Sequence, residues 1–324
     1  MGNNRNNYLM KNTIIFTLGN LGSKLISFFL IPLYTNALTT TEYGVIDLVA
    51  TVGTVAVPIL TLNICESVMR FALDKDADNE KITQIGTNIL LIGMVVGFLI
   101  LPICHSFDKI SQYSIFVYFY VVSLAASQLY LCDLRGKELL VYYSIGNVLH
   151  TFFIAVLNIL FLLAFKEGIE GYLKAYIIAN TLTAIYALIM GKGYRSFSFL
   201  RVDKKLLQRM VKYSIVLIPN SFMWWIMNSS DRIMVSSMVG IAANGIYAVS
   251  YKLPTLVSTL TTIFNQAWSY SAIREEGTED ESEYNNKIFK VLIGIVMLIG
   301  IGLVTFMKPF LSIYVAKEYY VAWK

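Results

Sequence analysis

The sequence predicts an all-α, polytopic membrane protein, a helical bundle of two six-helix lobes related by an internal repeat, with the second lobe incomplete and about nine helices present. Three observations predict it. The 324 residues are 56% hydrophobic and only 15% charged, where a soluble domain carries about 25% charge; the mean hydropathy is +0.61. The apolar runs are too long for a globular core. The sequence also overlays on itself when shifted by 201 positions.

The runs give spans over residues 13–35, 43–65, 84–106, 111–133, 139–165, 171–190, 213–239, 245–272 and 288–312. The first is not a cleaved leader. It is far longer than a signal core of about 7–15 residues, contains Lys24, and precedes no small-residue cleavage site. Segments on the N-terminal side of the membrane carry roughly three times the Lys and Arg of the opposite segments, which predicts a cytoplasmic N-terminus in the cell membrane. The domains read as a six-helix lobe over 1–190, a basic cytoplasmic connector over 191–212, and the first three helices of a second lobe over 213–324. Within the connector, Arg201–Arg209 is expected to lie on the membrane surface with Leu206 and Leu207 toward lipid. Glu275–Glu283 reads as a solvated acidic loop.

The repeat places Tyr43-Gly44-Val45-Ile46 on Asn244-Gly245-Ile246-Tyr247. Thr51, Thr54, Pro58, Thr61 and Cys65 step three and four apart, one face of a helix, and fall on Lys252, Thr255, Thr259, Thr262 and Gln266. Such a stripe should face a cavity or another helix rather than lipid. Six helices precede the repeat, an even number, so its axis runs along the membrane normal. Two full units need twelve helices, so the sequence is expected to be a partial one.

Lys24, Arg232 and Lys252 lie within the spans. A charge at a helix centre costs roughly 2.5–3.5 kcal/mol on insertion scales, and three of one sign point to an internal site for an anion. Asn20 shares the Lys24 face, and Asn228 the Arg232 face. Asp231 is placed to pair with Arg232 or Lys252, and Asp47 lies near the outer end of the second span. The repeat maps Lys24 to Trp225, Asp231 and Arg232 to Leu30 and Ile31, Lys252 to Thr51, and Asp47 to Ala248. The scaffold is duplicated and the charges are not, which assigns Lys24 and Arg232 to transport rather than to folding. Glu66 and Arg70, spaced i, i+4, read as a surface pair or a gate element.

Other chemistries are excluded or weak. Cys65, Cys104 and Cys132 form no CxxC and read as small apolar packers. His105 and His150 have no partners at ligand spacing, so no metal site, catalytic cluster or resident cofactor is expected. The +5 net charge is a loop-by-loop topology signal, not a nucleic-acid surface.

The run Gly22–Gly44, with Ile31-Pro32-Leu33-Tyr34 and Thr41-Glu42-Tyr43-Gly44, resembles the opening of bacterial polysaccharide-biosynthesis flippases of the Wzx-like kind. So does Asn228–Tyr247, with Ser230-Asp231-Arg232 and Asn244-Gly245-Ile246-Tyr247. That family belongs to the multidrug/oligosaccharidyl-lipid/polysaccharide exporter superfamily. The resemblance implies two lobes around a cavity and alternating access. It implies an undecaprenyl-pyrophosphate-linked oligosaccharide as cargo, for capsule, O-antigen or exopolysaccharide, with polymerase and glycosyltransferase partners. Lys24 and Asp231–Arg232 occupy helices that carry head-group cations in relatives, Lys252 less closely; Gln266, Asn20 and Asn228 would meet sugars. Asp47 or Asp231 would titrate if a proton or sodium gradient drives the cycle. Rival readings are a peptidoglycan-precursor flippase, a multidrug exporter, which would favour acidic cavity residues, and a membrane sugar polymerase or ligase, which would want a large outer loop.

Overall fold

The computed structural model describes residues 26–74, 76–104, 111–196, 202–252, 254–255, 257–258, 261 and 281–323. All regular structure among them is helical. Asn20, Lys24 and Gln266 lie outside the described residues. Two compact units are present, Met1–Gly245 and Ile246–Lys324.

The first unit opens with α1, Ile26–Ala37. Thr39 and Glu42 then form a reciprocal cap. The Thr39 hydroxyl accepts from the Glu42 N–H at 3.3 Å, and Glu42 Oε2 accepts from the Thr39 N–H at 2.8 Å. This starts α2, Thr40–Leu60. The single span expected over 43–65 is in fact two helices. Pro58 cannot donate to the helical ladder, and Leu62 and Asn63 adopt left-handed backbone at φ 51° and 53°. The Asn63 N–H closes back on the Pro58 carbonyl at 2.7 Å, a bond that terminates helices. The chain resumes as α3, Ile64–Ala72.

α4 (Asn79–Cys104) begins at Asp78, whose carboxylate accepts from the Lys81 N–H at 3.2 Å. The Lys81 ammonium, 2.8 Å away, holds the Asp78 carboxyl below its ordinary range. A 3₁₀ turn leads into α5, Ser114–Gly136. α6 (Leu140–Asn158) ends in a π-helical turn, Ile159–Ala164. α7 spans Gly168–Met190. The core forms where α5 packs on α3 and α7, around Ile64, Val68, Leu134 and Leu173, each at most 1% exposed. Ala175, Ala179 and Ala187 of α7 are fully buried, and their small side chains let the helix axes approach closely.

At one end of this core Asp133 meets Lys137 at 2.6 Å and the Thr83 hydroxyl at 2.6 Å. Lys137 also donates to the Gly191 carbonyl at 2.9 Å. The charges are buried together, which is what permits burial. Nearby, Cys65 of α3 is disulfide-bonded to Cys132 of α5, their Cα atoms 5.8 Å apart. Reading all three cysteines as isolated packers is therefore corrected for these two.

α8 runs unbroken over Lys204–Met238, capped by Asp203, which accepts from the Lys205 and Leu206 N–H groups. The basic connector segment is thus the first turns of this 35-residue helix, not a separate surface helix. Arg209 lies over the Phe71 ring at 5.3 Å, and Phe71 meets Tyr213 edge-on. α9 covers 241–252.

The second unit holds the remainder of α9, α10 (Glu281–Tyr314), and a 3₁₀ segment, Lys317–Trp323. α10 begins within the stretch expected to be an acidic loop. Leu311 and Tyr319 are its fully buried anchors. Among the described residues six helices are long and apolar enough to cross a membrane: Thr40–Leu60, Asn79–Pro102, Ser111–Gly136, Leu140–Ala164, Gly168–Met190 and Phe289–Tyr314. α8 is long enough but falls short in apolarity because it carries Asn220, Ser221, Asn228, Asp231 and Arg232.

The repeat is visible in space. A Cβ on Gly44 would land on the carbonyl oxygen of Ile241, and a Cβ on Gly245 would land on that of Thr40. Gly44 maps to Gly245, and Thr40 to Ile241, so the two contacts are the same contact turned about an axis between the helix starts. Backbone meets backbone, and no side chain can yield. Gly44→Ala should lower the melting temperature in detergent, by the equivalent of about 1–3 kcal/mol for overpacking. Gly294→Ala, with nothing within 4 Å of the added carbon, should not. Equal melting of both variants would refute the tight crossing.

Candidate functional site: a polar seam between two helices

α8 packs antiparallel along α2 and α3, and polar contacts mark the seam at each level. Near the helix crossing, Arg232 Nη1 lies 2.7 Å from Asp47 Oδ1. The Asp47 side chain is 7% exposed and that of Arg232 16%, so the pair is buried. Asn244 Nδ2 donates to Asp47 Oδ2 at 3.3 Å and to the Gly44 carbonyl at 3.1 Å. Asp231 accepts from the Arg232 backbone N–H at 2.9 Å. Trp225 Nε1 donates to the Thr51 carbonyl at 2.9 Å. Asn63, at the break between α2 and α3, donates to the Ser221 hydroxyl at 3.2 Å.

These contacts decide what the polar stripe faces. Thr51 is buried against α8, and Thr61 is buried with its hydroxyl on the Val57 carbonyl at 2.7 Å. Between them Thr54 is exposed, its hydroxyl turned onto the Thr51 carbonyl at 2.7 Å. The stripe is helix packing at both ends and open in the middle.

The expected site residues divide. Arg232, Asp231 and Asp47 come together, but the carboxylate facing the guanidinium is that of Asp47, contributed by the other half of the repeat. Asn228 is exposed on α8 and donates to the Trp224 carbonyl at 2.7 Å. Lys252 is half-buried on α9 in the second unit, its carbonyl accepting from the Thr255 hydroxyl at 2.6 Å. Glu66 and Arg70 do not form the expected pair. Glu66 is exposed, and Arg70 turns the other way to Asp74 at 2.6 Å. Asn63, Ser221, Trp225 and Asn244 are additions. Asn244 carries the one readable signal, being the polar residue that replaces Tyr43 at the repeat.

Outside the seam, five tyrosines form a buried group. Tyr34 meets Tyr43 and Tyr172, Tyr172 stacks on Tyr176 at 4.5 Å, and Tyr120 meets Tyr176. Burial makes these rings core rather than sugar platforms. Among the described residues no group of three or more His, Cys, Asp or Glu could hold a metal ion.

The polysaccharide biosynthesis protein family matches residues 9–270. The chain belongs to that family. No curated protein sequence matches it. Two solved structures share the fold at 15% identity. One is a MOP superfamily transporter from Pyrococcus furiosus, described as having a binding pocket of reverse polarity; the TM-score is 0.55, over 97% of this chain and 75% of the other. The second is an outward-facing multidrug resistance MATE family transporter of the MOP superfamily, with TM-score 0.57 over 97% and 74%. This polysaccharide biosynthesis family member is thus a multi-pass membrane protein with the MOP fold. Its seam joins helices from both halves of the internal repeat.

The buried pair gives Arg232 a part in folding that the sequence did not assign to it. Arg232→Leu would strand the Asp47 charge and should cost about 3–5 kcal/mol. Asp47→Leu with Arg232→Leu should recover most of that, because two apolar groups replace a neutralised pair. Thermal melting of both variants in detergent checks this, and equal destabilisation of the single and double variants would disprove the coupling.

Proposed function

We propose that this chain carries a lipid-linked oligosaccharide repeat unit, on undecaprenyl pyrophosphate, across the cytoplasmic membrane for surface polysaccharide assembly. It would work by alternating access between two lobes and catalyse no covalent step. The supporting observation is a cationic group, Arg232, held at membrane depth in a member of the polysaccharide biosynthesis family. A pyrophosphate offers Arg232 the same kind of charged oxygen acceptor as the Asp47 carboxylate, with more charge.

In this reading the head group competes with Asp47 for the guanidinium. Exchange releases α2 from α8 near the glycine crossing, so arrival of cargo and loosening of the seam are one event. Lys24 and Lys252 supply further positive charge, while Asn20, Asn228 and Gln266 meet sugar hydroxyls. The lipid tail remains in the bilayer. Asp47 freed of Arg232, or Asp231, would take up the proton or sodium ion if a gradient resets the carrier. Glu66 and Arg70, on the N-terminal side, would contribute to a gate. The N-terminus is cytoplasmic, and glycosyltransferases and a polymerase act before and after the carrier.

Cations favour this reading over a multidrug exporter, whose cationic cargo would want carboxylates. A peptidoglycan-precursor carrier shares the head-group chemistry and differs only in the sugar. Lys24→Gln should reduce surface polysaccharide at least tenfold at unchanged protein level, and Lys24→Arg should retain most of it. Immunoblot of the polysaccharide normalised to membrane protein measures both. Full polysaccharide from Lys24→Gln and from Lys252→Gln would sink the anion-carrier reading. Transport into vesicles that persists when proton and sodium gradients are both collapsed would exclude the coupling step alone.

A further inference from the structure

The end of the first unit that carries Lys137 has a second basic feature, separate from the seam. A cavity of about 510 Å³ lies between the start of α4, the end of α5, the start of α6 and the turn after α7. Its charged lining is Lys137, Lys192, Arg195 and Glu80. Lys137 is neutralised by Asp133 at 2.6 Å and anchored on the Gly191 carbonyl. That leaves Lys192 and Arg195 facing Glu80, a net positive mouth. Lys192 sits at φ 55°, a left-handed turn that swings the chain out of α7 and brings Arg195 back over the cavity. α6 starts here at Leu139 with no side-chain cap, so the positive end of its dipole adds to the field.

The other walls are apolar: Leu139, Tyr142 and Met190. They continue into faces that are bare in the folded chain. Val141, Tyr142 and Ile145 of α6 and Ile189 of α7 are 42–50% exposed. A free anion would gain nothing from such a wall, whereas an anion attached to an acyl chain gains from both parts. We propose that this cavity binds the phosphate of an anionic phospholipid, with Lys192 and Arg195 on the phosphodiester and the acyl chains along the α6–α7 face. The site lies within the first unit, between the start of α4 and the turn after α7, and it stands whichever cargo the seam carries.

The test uses the chain in nanodiscs of phosphatidylcholine, alone or with phosphatidylglycerol, and reads lipid retention by native mass spectrometry. Phosphatidylglycerol should be retained. Lys192→Ala with Arg195→Ala should weaken it about thirtyfold, at roughly 1 kcal/mol for each cation near a membrane surface. Glu80→Gln should strengthen it severalfold. Both variants should melt like the parent in pure phosphatidylcholine; should the double variant unfold, Lys192→Ala alone and Glu80→Gln carry the test with opposite signs. Equal retention by parent and variants would overturn the site. Displacement of phosphatidylglycerol by millimolar inorganic phosphate would overturn the lipid assignment and leave a phosphate site.

Discussion

The Asp47 carboxylate is the constraint around which the first unit is arranged. A charge buried at membrane depth must be neutralised, and the neutralising group comes from a helix almost two hundred residues away. Arg232 can reach it only if α8 lies antiparallel against α2. Asn244 can bond it only if the chain turns back at Gly240 and restarts beside Gly44. The glycine crossing then follows, because nothing larger than hydrogen fits between the two backbones there. The polar contacts at Thr51 and Asn63 extend the same register toward the other end. Electrostatics sets the partner, and backbone contact sets the distance.

The repeat keeps its glycines and not its charges. A scaffold turned about an axis can use one contact twice, which Gly44 and Gly245 do. The ion pair is used once: a second copy would place an acid at Ala248 and a base at Ile31, and both positions are neutral. The symmetric frame thus carries one ion pair where it carries two glycine contacts.

Much of this was legible in the sequence. Periodicity and hydropathy gave the helices, and the shift that overlays Gly44 on Gly245 gave the symmetry later seen as a contact. The partner of Arg232 was not legible. Asp231 is adjacent in sequence, but consecutive residues on a helix point about 100° apart, so the neighbour takes the backbone N–H instead. The Cys65–Cys132 link was readable only in hindsight. Both end spans that run the same way, so they share a depth, but depth does not say which helices touch. The break after α2 was signalled by Pro58 and hidden by the unbroken apolar run around it. The Arg70 pairing hinged on a rotamer choice between two carboxylates at equal spacing, which sequence does not rank.

The break also has a mechanical consequence. Residues 61–63 divide one membrane crossing into two rods. The second rod, α3, is covalently stapled to α5 through Cys65 and Cys132, so its position is that of the core. The first rod, α2, carries the ion pair and the glycine contact and packs on α5 and α7 as well. α8 packs on both rods and touches the joint through Ser221 on Asn63, so it splints the break.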